Sequence, residues 1–150
     1  MQDLYVQFDD TVRRAIYDHI ISTGFAPKPA QLAALLNCPQ PAISAAFERL
    51  VDQRAIGLDA EGHVFMAIPF ATQPTGVRVI SDVQTWWANC AWDGLGVPAL
   101  LKCNATIETT CPATGDPLHV IVQDNQPLPA DCVLHMAIPL IDWWNDIGST

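Results

Sequence analysis

The stretch "TWWANCAWDGLGVPALL", residues 85–101, sets Cys90 three residues before Asp93 in otherwise apolar surroundings. Its pattern predicts a helix over 82–96 that Pro98 must end or kink, because proline lacks an N–H and its ring crowds the preceding turn. Residues three apart share a helix face, so Cys90 and Asp93 are expected to point into one pocket. Trp86, Trp87, Trp92, Leu95 and Val97 are its expected walls. If the helix begins instead at Asn89, that residue caps it and Cys90 falls in the first turn, where the helix dipole favours thiolate. The Asp93 anion works against thiolate, and desolvation raises the pKa of both acids. The two groups should therefore titrate as a coupled pair holding one proton between them. The bland alternative is a buried cysteine beside a helix-capping acid.

Upstream of this stretch the chain reads as a small helical unit with a hairpin. Val12, Ile16 and Ile20 mark one face of a first helix that Gly24 can stop. Leu32, Leu35 and Leu36 mark a short second helix, and Ile43, Ala46, Phe47, Leu50 and Val51 give a third its apolar stripe. "AIGLDAEGHVFMAI" then reads as two short strands about a turn at Ala60–Gly62. Three helices and a β-wing make a winged helix-turn-helix over residues 1–70. "PFATQPTG" (69–76) has two prolines, a glycine and no charge, which places a linker at 71–76.

Beyond the linker, 77–80, 104–110, 117–123 and 132–139 read as strands, and "LIDWWNDI" starts a helix or turn. Residues 77–150 are thus expected to form a mixed α+β domain with antiparallel pairing. Of the paired tryptophans 86–87 and 143–144, one of each pair should pack inward and the other lie at the domain junction. Asp142 and Asp146 read as solvated surface.

Half of the residues are hydrophobic and 15% are charged, enough apolar mass for a substantial core rather than a disordered chain. No apolar run approaches the length of a membrane span, and the N-terminus lacks the pattern of a signal peptide. A cytoplasmic location follows as the expectation. The formal net charge of -9 repels phosphate backbones. The third helix exposes Glu48, Asp52 and Gln53 beside only Arg49 and Arg54, and the wing carries Asp59 and Glu61. Nucleic acid is therefore a poor partner, and a packing or dimerisation module is the favoured reading of the first unit. The sequence leaves the oligomeric state open.

Five cysteines stand at 38, 90, 103, 111 and 132, with no C-x-x-C pair, which fits neither a disulfide framework nor a four-thiolate zinc site. Cys38 reads as structural or incidental, and Cys103 and Cys132 as packing residues or substitute thiols. His119 and His135 fall on predicted strands. Either would need to reach Cys90 for a cysteine–histidine hydrolase, and no local signature supports that or a zinc site.

"WANCAWDGLGVPALL", followed by Cys111 in "TTCPATGDPLHV", resembles the organomercurial (alkylmercury) lyases, and "LHMAIPLIDWWNDIGST" is similar to the stretch before that family's second active-site cysteine. The first unit leading into "IPF" (68–70) fits as well, so the likeness runs from about residue 10 to the end. The resemblance implies protonolysis of a carbon–mercury bond, giving hydrocarbon and Hg(II). Cys90 matches the family's first cysteine, a mercury ligand. Asp93 matches its aspartate, which contacts the metal and mediates proton transfer, and Cys111 matches a cysteine regarded as structural. No organic cofactor is implied, because mercury is substrate and product, and low-molecular-weight thiols are the implied carriers of Hg(II). The chemistry suits these residue types: Hg(II) is soft and prefers sulfur, while cleavage needs a proton at carbon. The family's second catalytic cysteine is expected just after the "WWxDI" segment, about where this sequence reaches Thr150. A single-thiol, noncatalytic binder or sensor of soft metals, with or without a regulatory winged helix, is the alternative.

Overall fold

In this computed structural model residues 2–130, 133–134, 136 and 138–145 are described. The predicted apolar stripes become α1 (Gln2–Thr23), α2 (Pro29–Leu35) and α3 (Gln40–Asp52). Val12, Ile16 and Ile20 of α1 meet Leu32, Ile43, Ala46, Phe47 and Leu50 in one buried cluster. Leu35 and Val51, expected on those stripes, lie at the surface instead. Gly24 ends α1 with φ +80°, and a side chain there would meet the Thr85 carbonyl at 3.0 Å, so glycine suits both the turn and the close approach. Asp9, nearly fully buried, receives two hydrogen bonds from the Arg49 guanidinium at 2.6 and 2.8 Å, which ties α1 to α3. One of the two cations expected on α3 is thereby occupied within the fold.

The hairpin follows as β1 (Gly57–Leu58) and β2 (Val64–Ala67). Asp59 shapes its turn, with Oδ1 accepting the Glu61 and His63 N–H groups at 3.1 and 2.8 Å. Within the stretch expected as a linker, Phe70–Ala71 forms β3, which pairs with β2 on one side and with β5 (Thr85–Ala88) on the other. Strands β4 (Arg78–Ile80), β6 (Ala105–Thr110), β7 (Pro117–Gln123) and β8 (Gln126–Leu128) complete one antiparallel sheet of order β1-β2-β3-β5-β4-β6-β7-β8. The hairpin after the three helices is thus continuous with the sheet of the C-terminal half.

The helix expected over 82–96 is corrected. Thr85–Ala88 is a strand, and the helix α4 runs over Ala91–Leu101. A short apolar run rich in tryptophan carries no period that separates strand from helix; here Trp86 and Ala88 point inward and Thr85 and Trp87 lie half-buried, an alternation of two. Pro98 does not end the helix but sits inside it, ahead of its end at Leu101. The residue four back is Gly94, which has no side chain, and the Pro98 carbonyl accepts the N–H groups of Lys102 and Cys103 to close the C-terminus. Helix α4 links β5 to β6 and packs over β4 between them. Gly94 makes this approach possible, since a Cβ there would stand 3.0 Å from Val77 Cγ1 and 3.1 Å from Ile107 Cγ2. Trp86 lies beneath, its indole N–H donating to the Ile20 and Ile21 carbonyls at 3.1 Å and its ring 6.2 Å from that of Phe70. That contact docks the end of α1 on the same sheet.

Leu140–Asn145 forms a 3-10 turn, with the Trp143 indole donating to the Ile138 carbonyl at 2.9 Å. Asp142 is exposed, as expected, and Asp146 lies outside the described residues. Of the strand expected over 132–139, Val133, Leu134 and Met136 lie in no strand, and Cys132 and His135 lie outside the described residues. Among the described residues no helix is long and apolar enough to cross a membrane.

Candidate active site

Cys90 occupies the N-cap of α4 in extended backbone, and Asp93 lies in the helix's first turn. The end of β5 that delivers Cys90 is fixed by Thr75, whose hydroxyl donates to the Ala88 carbonyl at 2.6 Å and accepts the Val77 N–H at 3.1 Å. The Gly94 N–H donates to the Cys90 carbonyl at 2.9 Å and opens the helical ladder. Cys90 is half-buried and Asp93 is 8% exposed, so the cysteine is the more open of the two. Asn89, just before the cap, aims its amide at Asp93 Oδ2 (3.2 Å) and at the Pro69 carbonyl (3.5 Å). Tyr17 of α1 donates its hydroxyl to the neighbouring Ile68 carbonyl at 2.7 Å. Gly96 faces Pro69, where a Cβ would stand 3.3 Å away, so the β2–β3 connection closes this side.

Burial dominates the electrostatics. It pushes the Asp93 carboxyl above the usual carboxylate range, opposed by hydrogen bonds from Asn89 and from the Cys90 thiol. It also pushes the Cys90 thiol up; the Asp93 charge adds to that rise, while the amides of Asp93 and Trp92 at the helix start work against it. None of those amides closes a cap hydrogen bond on the sulfur. Tyr17 is raised by burial first and, after a lowering by Arg13, by the Asp93 charge, which places its hydroxyl within the field of the same carboxyl. The pair therefore favours its protonated forms. Such an arrangement sets a soft ligand atom beside a carboxyl that burial shifts toward its protonated form. Among the described residues no group of three or more His, Cys, Asp or Glu side chains is placed to hold a metal ion.

The alkylmercury lyase family (MerB) matches residues 70–150, more than half of the chain and all of this site apart from Tyr17, Ile68 and Pro69. The chain belongs to the alkylmercury lyase family. A solved structure, the mercury-bound form of MerB2, superposes with a TM-score of 0.66 at 21% identity, over 79% of this chain. At that identity the likeness is one of fold. The chain spans 57% of that structure's length. Among curated proteins none matches.

Several residues expected from spacing as pocket walls lie elsewhere. Trp86, expected as a pocket wall, is buried in the core; Val97 is fully buried and Trp92 is 54% exposed. Trp87 is half-buried beneath the Arg78 guanidinium, 5.8 Å from the ring centroid, on the sheet face away from α4. His119 shares that opposite face, its Nδ1 lying 3.8 Å from Glu108, so it does not reach Cys90. Cys111 sits in the β6–β7 turn, two strands from β5, where its N–H donates to the Asp116 carbonyl and its carbonyl accepts the Gly115 N–H, both at 2.8 Å. The Thr114 hydroxyl, then the amides of Thr114 and Ala113, lower its thiol pKa. Cys38 and Cys103 are half-buried free thiols, Cys103 following α4 and raised by burial.

Tyr17 and Pro69 join the site with no local signal in the sequence. Tyr17 lies beside the apolar stripe of α1, and nothing local ties it to residues 68–93. Asn89 is not the cap of α4. Cys90 holds that position, which frees the Asn89 side chain for the carboxyl.

Proposed function

We propose that this protein cleaves carbon–mercury bonds by protonolysis, with Cys90 as mercury ligand, Asp93 as metal-contacting proton donor and Cys111 in a structural role. The observation that carries the reading is the half-buried Cys90 thiol beside the buried, protonation-favouring Asp93 carboxyl, inside the segment that matches the alkylmercury lyases. An organomercurial cation R–Hg⁺ displaces the Cys90 proton and forms a Hg–S bond. Asp93 then gives its proton to the carbon. The carbon–mercury electron pair becomes the new C–H bond, RH departs, and Hg(II) stays on sulfur beside the carboxylate. A low-molecular-weight thiol supplies further sulfur and carries Hg(II) away, while water reprotonates Asp93. Burial serves this chemistry by shifting the carboxyl toward its protonated form, the form that can donate.

The thiols must stay reduced for this reaction, which suits a cytoplasmic location. Residues 1–70 are read as a winged-helix-like packing unit, joined through 71–76 to the lyase-like part at 77–150. The occupation of Arg49 by Asp9 supports packing over phosphate binding.

Phenylmercury tests the proposal. The protein releases benzene, and release is lost in Cys90→Ser and in Asp93→Ala. Stoichiometric uptake of mercury without hydrocarbon would make the protein a soft-metal binder and overturn the lyase reading.

A further inference from the structure

Asn89 stands one residue before the cap of α4, in a residue type that commonly caps helices, yet its side chain bonds none of the helix's free amides. Its amide is directed instead at two groups, the Pro69 carbonyl at 3.5 Å and Asp93 Oδ2 at 3.2 Å. The amide thus braces one carboxyl oxygen against the backbone of the β2–β3 connection. That connection is itself held by the Tyr17 hydroxyl on the Ile68 carbonyl and by Pro69 against Gly96. An oxygen that accepts an N–H bond is the poorer seat for a proton, because the donor takes one of its lone pairs and draws charge from it.

We propose that Asn89 is a positioning residue that holds Asp93 Oδ2 as an acceptor, so that Oδ1 carries and delivers the proton. This rests on the protonolysis reading above. In the step, the Oδ1–H bond breaks and the C–Hg bond breaks. A C–H bond forms, Asp93 is left as carboxylate with Oδ2 still on the Asn89 amide, and Hg(II) remains on Cys90 sulfur. No oxidant or reductant takes part. Without the brace the carboxyl turns about its own bond, and the proton is aimed at the carbon for only part of the time.

Single-turnover release of benzene from phenylmercury, measured on the whole chain beside stoichiometric capture of phenylmercury by Cys90, tests this. Asn89→Asp keeps the shape and removes the donors; Asn89→Ala removes the side chain. Both variants are expected to capture phenylmercury as the parent does and to release benzene roughly 10- to 100-fold more slowly, the scale of loss for a misaimed catalytic group. A merely structural asparagine would lower capture and release together, which overturns the proposal, as does release at the parental rate from the near-isosteric Asn89→Asp. If the parent itself releases no benzene, the protonolysis reading fails and the proposal falls with it. If the parent releases benzene and Asn89→Asp matches it, the proposal fails alone.

Discussion

Gly94 is the point at which α4 touches the sheet, and replacing it with alanine tests how closely the helix that carries Cys90 and Asp93 is seated. A Cβ at Gly94 would stand 3.0 Å from Val77 Cγ1 and 3.1 Å from Ile107 Cγ2, where ordinary contact begins at 3.4 Å. Both neighbours are buried and β-branched, so neither can swing aside without leaving its preferred rotamer. Overpacking of this kind costs about 1–3 kcal/mol. Alanine regains about 1 kcal/mol of helix propensity over glycine. Gly94→Ala is therefore expected to destabilise by about 1 kcal/mol, read as a lower urea midpoint at unchanged slope. Val77→Ala alone opens a cavity and costs on the order of 2 kcal/mol, but it also removes the nearer methyl group. The double variant should lose less than the sum of the two, with a coupling of about 1 kcal/mol. A Gly94→Ala protein that is more stable than the parent by its propensity alone, with additive behaviour toward Val77→Ala, would refute this seating of α4.

Trp86→Phe removes the indole N–H that the Ile20 and Ile21 carbonyls share, and leaves a void under α4. A loss of about 2–4 kcal/mol in urea unfolding is expected from the lost bond and the cavity together. Arg49→Met leaves the Asp9 carboxylate buried without its guanidinium. Because the Arg49 side chain is 33% exposed, a cost of about 1–3 kcal/mol is expected, below that of a fully buried pair, and Asp9→Asn in the same chain should recover part of it. Asp93 gives a pH test. Its folded pKa is raised by burial, so its contribution to stability is fully present below the unfolded value of about 3.9 and is lost as pH rises through the raised folded value. Asp93→Asn is therefore expected to be more stable than the parent near pH 7, with the advantage shrinking toward pH 3.5 in matched thermal melts. A parent that gains stability relative to Asp93→Asn as pH rises would contradict the direction of that shift.

The elements legible in the sequence were those whose period is local. Val12, Ile16 and Ile20 repeat every fourth residue and lie on the buried side of α1, and 104–110 and 117–123 became β6 and β7 within a residue of expectation. The spacing of Cys90 and Asp93 was legible too, because either helical start puts them within a turn of one another. The strand at Thr85–Ala88 was not, since what makes it a strand is its partners β3 and β4 rather than any alternation of polarity. Trp86 read as a pocket wall because its partners, the last carbonyls of α1, lie 65 and 66 residues away. Tyr17 escaped for the same reason, being tied to the site through the Ile68 carbonyl and the field of Asp93. Pro98 reads as a helix stop or kink because its rule is local, while the close packing of Gly94 on the sheet is not.

The central claim is that a carbon bound to mercury on Cys90 takes its hydrogen from Asp93. Single-turnover reaction of phenylmercury in D₂O, with the benzene read by mass spectrometry for the parent and for Asp93→Asn, measures this most directly. The account predicts benzene carrying one deuterium from the parent, and from Asp93→Asn equal capture of phenylmercury with no benzene. Benzene from Asp93→Asn at the parental rate, or phenylmercury that the parent holds and never cleaves, would contradict it.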